Sequence, residues 1–279
     1  MIEFEIRDMT AADLGPVGAM YMAGARDDRR EFFEWVLANP ATQPLVGLRN
    51  GSLVGTGMAT INGRVGWIGS IFVDRTMRSQ GYGRAMTEAV CARLDAAGCE
   101  TQALIASEHG KPLYESMGFR VDELYQILEA EPVATVPTPP PGTTLRPMRR
   151  GDVARVCELD FRATGEDRRG LLGSLDGHVW VLEADGDLLG FVGSILPGSG
   201  AVVAPKIDHA ACLLQQLRYA GRDRIKSVRA AVPATNLAGI DGLQRLGWSP
   251  TFQAPRMLRG PDIPWEPALI WSILGFAFG

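Results

Sequence analysis

The sequence predicts an α/β (α+β) fold made of two tandem copies of one unit, and three observations carry that prediction. Short alternating apolar runs, several ended by Asn-Gly, are interleaved with stretches of helical spacing. A proline-rich stretch divides the 279 residues into halves of similar size. The two halves also repeat one another in matched order, the mark of a duplication. Arg7, Met9, Asp13, Val17, Asp28, Arg29 and Arg30 return 139 residues later as Arg146, Met148, Asp152, Val156, Asp167, Arg168 and Arg169. Gly51 to Gly55 matches Gly186 to Gly190, and Leu113 to Phe119 (LYESMGF) matches Gly242 to Trp248 (GLQRLGW).

Within the first half, Glu3 to Arg7 alternates as a strand. Thr10 and Asp13 form a capping box, and Leu14, Val17 and Tyr21 follow at helical spacing. A second helix holds Glu31 to Leu37. Pro44 to Arg49, Leu53 to Ile61 and Arg64 to Val73 are strands. They are joined at Asn50-Gly51 and Asn62-Gly63, pairs that accept the positive φ of type I′ turns. A polar loop from Asp74 to Gly83 leads into a helix from about Arg84 to Ala97, stopped by Gly98. Thr101 to Ala106 is a strand and Lys111 to Met117 a short helix. Phe119 to Val121 and Leu124 to Leu128 are read as a closing hairpin. From Glu131 the chain reads EPVATVPTPPPGTT. Proline fixes φ and removes donors, so this is a semi-rigid extended linker. The resulting division is 1–130, a linker over 131–143, and 144–279.

Composition narrows the function. Apolar residues make up 46% and charged residues 22%, an ordinary globular balance. With 28 basic against 32 acidic side chains, nothing drives binding to a phosphate backbone, and no nucleic-acid partner is expected. The four cysteines form no CxxC pair and MIEFEIRDMT carries no apolar signal region, so a reduced, cytoplasmic protein is expected. The three histidines are scattered without HExxH, and no metal site is expected. The apolar tail Pro267 to Gly279 is 13 residues long, too short to span a bilayer as a helix, so it is expected to pack on a core, with no membrane partner.

The stretch that carries chemistry is Ile71 to Arg84 (IFVDRTMRSQGYGR). A strand enters a loop holding Gly81 and Gly83, and the loop opens a helix. Amides at a helix start lack partners within the helix, and with the helix dipole they suit a phosphate or pyrophosphate. Glycine lets the backbone approach such a ligand. Arg78 and Arg84 would add charge-assisted bonds. No GK[ST] follows, and the preceding hairpins and missing third glycine do not make a dinucleotide fingerprint.

At these residues the first half, from about 3 to 128, resembles the GNAT N-acyltransferase superfamily. The Arg78-Ser-Gln-Gly-Tyr-Gly83 loop and the Leu113 to Phe119 helix-to-strand signature, in that order, carry the likeness. The whole chain resembles the tandem two-domain type with a divergent C-terminal copy. The resemblance implies two tandem GNAT-like domains, each a mixed, mostly antiparallel sheet flanked by helices. It implies acetyl-CoA (acyl-CoA) as co-substrate, a small-molecule amine acceptor and N-acetyltransferase activity. The backbone of Ile71, Phe72 and Val73 would pair with the pantetheine arm. The amides of Ser79, Gln80, Gly81, Tyr82, Gly83 and Arg84 would hold the pyrophosphate. Tyr114 would be the general acid toward the leaving thiolate. The family often has Asn where Ser107 stands, so Ser107 takes the cofactor-side polar contact with a shorter reach. Glu108, His109, Asp28, Glu31 and Glu34 are the acids and bases nearby, and none stands out as a general base. The alternative is a non-catalytic acyl-CoA-binding regulatory protein.

In the second half, Ala201 to Ala211 (AVVAPKIDHAA) stands where the glycine loop should be and has no GxG. Leu243 replaces Tyr114, while Asn236 stands in place of Ser107. The second half therefore reads as a scaffold without the phosphate cradle or the acid.

Overall fold

The computed structural model describes residues 4–24, 27–175 and 177–279; Glu3 of the expected first strand lies outside them. The first half runs β1 (Phe4–Asp8), α1 (Leu14–Ala23), α2 (Arg30–Ala38), β2 (Thr42–Arg49), β3 (Ser52–Asn62), β4 (Val65–Val73), α3 (Tyr82–Ala96), β5 (Thr101–Ile105), α4 (Lys111–Ser116) and β6 (Arg120–Ala130). The second runs β7 (Thr144–Pro147), α5 (Val153–Thr164), α6 (Arg169–Leu172), β8 (Val179–Ala184), β9 (Asp187–Gly193), β10 (Ala201–Val203), α7 (Ile207–Ala220), β11 (Val228–Pro233), α8 (Leu237–Arg245), β12 (Ser249–Arg259) and β13 (Ile270–Ser272). This is the mixed α/β architecture the sequence predicts, with one order of elements written twice. The segment 131–143 carries no helix or strand.

The repeat extends to single bonds. Arg7 grips Asp13 with two contacts of 2.8 Å, and Arg146 grips Asp152 at 2.6 and 3.0 Å. Each aspartate also accepts a backbone amide three residues back, from Thr10 and from Arg149. The hydrogen-bonded guanidinium lowers each carboxyl to about 2.

Two sequence readings are corrected. Asn62-Gly63 does not form a type I′ turn: Asn62 ends β3, and of the two turn residues Gly63 and Arg64 only Gly63 has positive φ. Asn62 is fixed in the strand because its amide donates to Glu166 Oε2 at 2.7 Å and to Phe278 O at 3.0 Å. Asn50-Gly51, with φ of 48° and 78°, does carry positive φ at both positions.

The closing hairpin of the first half does not form either. Residues 120–130 are one strand, β6, and its neighbours are β12 and β11 from the second half. The larger sheet has the order β1-β2-β3-β4-β5-β12-β6-β11. β12 thus takes the place beside β5, and β6 takes the place beside β11. The halves exchange their last long strands reciprocally. Asp122 and Glu123 hold no turn, because the Arg256 guanidinium binds Asp122 and Thr235 binds Glu123. The smaller sheet, β13-β10-β9-β8-β7, belongs to the second half.

One face of the large sheet packs on α3 and α4 through Met86, Val90, Leu94, Leu104, Tyr114 and Met257. The other face meets α1, α2 and the second half in one continuous core that joins Val17, Phe33 and Val36 to Leu171, Phe191 and Phe278. The C-terminal tail crosses between the halves. It leaves β13 and ends on the first half, where Thr60 donates to Ala277 O at 2.9 Å and Phe278 packs on Phe32 and Trp35. All four cysteines are free and buried. No helix among the described residues is long and apolar enough to cross a membrane.

Candidate active site

The site begins where two neighbouring strands part. β4 and β5 run parallel, paired from Val65 to Trp67 against Thr101 to Ala103. Beyond that, β4 continues to Val73 while β5 ends at Ile105 and pairs with β12 on its other side. Past Trp67 and Ala103 the two strands part, and the rest of β4 has no β5 partner along this gap.

A bulge shapes that part of β4. Thr56 lies opposite Phe72 but Met58 lies opposite Gly69, so β4 carries extra backbone across from Gly57. Ser70, at φ 51°, absorbs the irregularity. A non-glycine residue there costs about 1–3 kcal/mol and persists because neighbours hold it. Its carbonyl accepts from Thr56 Oγ1 at 2.8 Å and from the Tyr21 hydroxyl at 3.4 Å. In a trans peptide the N–H opposes the C=O, so the Ile71 amide points away from Thr56 and Tyr21. The sequence reading missed Ser70, Thr56 and Tyr21. The available signal was Gly69 inside a strand pattern, which marks bulges.

Phe72 and its neighbours form the side of the gap toward α1. Its ring stacks on Tyr21 with centroids 4.3 Å apart. A Cβ on Gly24 would lie 2.6 Å from Phe72 Cζ, so only glycine lets α1 end this close.

At the mouth of the gap, Asp74 receives the Thr76 amide at 2.8 Å and turns the chain out of β4. Ser79 (φ 59°) and Gly81 (φ 86°) both adopt left-handed backbone, and Gly81 is the N-cap of α3. Alternating left- and right-handed residues turn successive amides to one side as an anion nest. The first amides of α3 extend it, with the helix dipole behind them. Gln80 and Ser79 are exposed, whereas the Tyr82 ring is buried against Phe4, leaving its backbone as its contribution. Arg78 donates Nε to Val73 O at 3.3 Å, and Arg84 donates to Ser116 Oγ at 2.6 Å, tying α3 to α4. Both guanidinium groups lie beside the nest.

Tyr114 sits on α4 across the gap, nearly buried, with its ring edge-on to Phe119. Burial, and then the nearby Cys91, push its hydroxyl up to about 12. It therefore stays protonated at neutral pH and can act as a hydrogen-bond donor. Ser107 opens α4: its Oγ accepts the Gly110 amide at 3.2 Å. α4 lies beside the loop and the end of β4: a Cβ on Gly83 would lie 3.9 Å from both Leu113 Cδ2 and Val73 Cγ2.

The acids and bases are more scattered. Glu108 and His109 are exposed on the α4 side. Asp28 pairs with Arg30, and Glu31 is held by Arg224 of the second half at 2.9 and 3.0 Å. Glu34 points outward from α2. The repeated triplets have diverged: Arg29 lies 3.8 Å over the Phe32 ring, while Arg168 is buried on Asp160. Behind β4, between the halves, the buried Glu166 accepts from Asn62 at 2.7 Å and from the Trp67 indole at 2.9 Å. Burial raises the Glu166 carboxyl, opposed by Arg168.

In the second half, β10 passes to α7 through Ala204, Pro205 and Lys206, with no positive φ there. Leu243 is fully buried on α8 where the first half has Tyr114.

Comparison with known proteins identifies the family and the fold. Residues 11–119 match the model of the acetyltransferase (GNAT) family, and residues 156–271 match a further acetyltransferase (GNAT) domain. The chain belongs to the GNAT acetyltransferase family, as a tandem protein with one domain of that kind in each half. It is 26% identical over 230 residues to the uncharacterized N-acetyltransferase YitH of Bacillus subtilis, covering 78% of each chain. Its fold is similar to that of a Pyrococcus horikoshii protein provisionally described as an acetyltransferase (TM-score 0.80, 22% identity, 99% of this chain and 96% of that one). It is also similar to a tandem GNAT protein from the clavulanic acid biosynthesis pathway (TM-score 0.66, 18% identity, 93% and 100% covered).

Proposed function

We propose that the chain moves an acyl group, acetyl in the simplest case, from acyl-CoA to a primary amine, in the gap of the first half. The observation that carries this is the gap itself: β4 backbone with no β5 partner along it, an amide nest at its mouth and a protonated phenol across it. A pantetheine arm carries amides and can add to β4 as a strand. The amides from Ser79 to Arg84 receive the pyrophosphate, and the Ser107 hydroxyl receives a carbonyl of the arm.

The acceptor amine, in its neutral form, attacks the thioester carbonyl directly. Negative charge grows on the carbonyl oxygen, and in this reading the Ile71 amide receives it. As the C–S bond breaks, Tyr114 gives its proton to the sulfur. The new ammonium loses a proton to solvent, and Tyr114 is reprotonated. No side chain is required as base, which fits Glu31 and Asp28 being held in ion pairs. The acceptor is a small molecule; the net charge of −4 favours a cationic one. Four buried, unpaired thiols suit the cytoplasm.

Calorimetric titration with acetyl-CoA, followed by thiol release over a panel of amines, tests the reading. Binding with turnover supports it. Binding without turnover on any amine favours an acyl-CoA-binding regulator, and no binding removes both.

A further inference from the structure

The second half contains its own copy of the gap. β10 follows the β8–β9 hairpin as β4 follows β2 and β3, and each is followed by a helix and a strand. The strands meet at the base, where the Arg229 amide donates to Gly198 O at 2.7 Å; its counterpart is the Glu100 amide on Arg64 O at 2.8 Å. Above that base the second gap is filled by residues 269–273 of the tail. The Ala204 amide donates to Leu269 O at 3.0 Å on one side, and the Ile273 amide donates to Ala231 O at 3.1 Å on the other. β13 is laddered antiparallel on β10 between them. Asn236 donates its amide to Ile270 O at 3.0 Å. The Trp271 indole donates to Ala204 O at 2.8 Å, and its ring fills the space against Gly242, beside Leu243.

We infer that this second gap is a peptide-strand site whose ligand is the chain's own residues 269–273, so that one acyl-CoA binds per chain. The inference rests on reading the first-half gap as the acyl-CoA cleft. A pantetheine arm and an extended peptide offer the same groups to a parted strand pair, amides at strand-like spacing. Asn236, at the position of Ser107, clamps a carbonyl of the occupant. What distinguishes the ligands is the far end. The first half has eight residues, 74–81, between strand and helix, with two in left-handed backbone. The second has three, one of them a proline, and cannot wrap a pyrophosphate. The site therefore takes an extended apolar peptide carrying an indole at its centre, and it rejects a nucleotide.

A protease site inserted in the full chain between the exposed Pro261 and Asp262 tests this. After cleavage, the tail is expected to remain bound through gel filtration. It is expected to exchange with a labelled synthetic peptide of residues 262–279, and a peptide carrying Trp271→Ala should compete at least tenfold more weakly. Coenzyme A and pantetheine at millimolar concentration should not displace the tail. Displacement by either, or equal competition by a scrambled peptide, overturns the inference. If the cleaved protein precipitates, amide hydrogen exchange on the uncut chain decides instead. Asn236→Ala should speed exchange at Ile273 and Ala204 at least tenfold, and unchanged protection would overturn the inference. Calorimetry on the uncut chain should give one coenzyme A; two would overturn it. A complete lack of coenzyme A binding would sink the acyl-CoA reading while the peptide exchange still decided the fate of the tail site.

Discussion

Substituting Gly81 separates the backbone role of the amide nest from its charge. Gly81 caps α3 at φ 86°, and a Cβ there would meet nothing within 4 Å. Gly81→Ala therefore adds strain without a clash, about 1–2 kcal/mol for left-handed backbone. Gly81→Glu adds the same strain and one negative charge at the mouth of the gap. At about 5 Å from a pyrophosphate, an effective dielectric constant of 20–80 gives a repulsion of roughly 0.8–3 kcal/mol per charge pair. At 1.4 kcal/mol per tenfold, that is roughly a 4- to 140-fold loss of coenzyme A affinity relative to the alanine variant. The loss should shrink as salt rises, since the pair is exposed. Calorimetric titration of both variants with coenzyme A measures it. Pantetheine, which has no phosphate, is the control and should bind both variants alike. Equal coenzyme A affinity in the two variants would refute the placement of the pyrophosphate, and so would an equal loss for pantetheine.

Other expectations follow from the same geometry. Tyr114→Phe should lower kcat about 100-fold or more while coenzyme A affinity changes little. Because burial lifts that hydroxyl to about 12, any alkaline limb below pH 10 belongs to another group and should survive in the variant's pH profile. Gly69→Ala should loosen the tail, since its Cβ would lie 2.2 Å from that of Ala277. An overpacking cost of about 1–3 kcal/mol should appear as a lowered Tm and faster amide exchange in 277–279. Asp13 and Asp152 titrate at about 2 when folded, below the unfolded value near 4. Their contribution is complete above about pH 5 and is lost as pH falls toward 2. After allowance for solvent screening this is about 1 kcal/mol each, and urea titrations of the Asp13→Asn/Asp152→Asn variant should show a flatter acid limb. Residues 1–130 expressed alone should aggregate or dimerise, because β5 lacks β12 and β6 lacks β11; a monomer that binds acyl-CoA would contradict this.

Local chemistry was legible in the sequence wherever one residue type is needed for a local reason. Gly81 announced the loop because an N-cap at positive φ favours glycine. The Thr10–Asp13 box announced the start of α1, and the 139-residue spacing announced the duplication down to its arginine–aspartate pairs. Long-range placement was not legible. Nothing in residues 119–130 distinguishes a strand that pairs with its own half from one that pairs with the other, since both bury Tyr125, Ile127 and Leu128. Asn62-Gly63 reads as a turn until Glu166, 104 residues away, holds the asparagine in the strand. At the site, the glycine loop and Tyr114 were visible, while the grip of Thr56 and Tyr21 on Ser70 was not, because a bulge is a property of two strands in register.

The exchanged strands also set a clock on the ribosome. Ile105 ends β5 and Ser249 begins its neighbour β12, 144 positions later. At about 5–20 residues per second, the edge of β5 waits roughly 7–30 s for its partner to be made. Throughout that interval the nascent first half presents an open strand edge beside its gap, a template for pairing with other chains. A synonymous codon change that slowed synthesis between 131 and 248 would lengthen that exposure without altering a single residue, and its cost would be read as lost soluble yield.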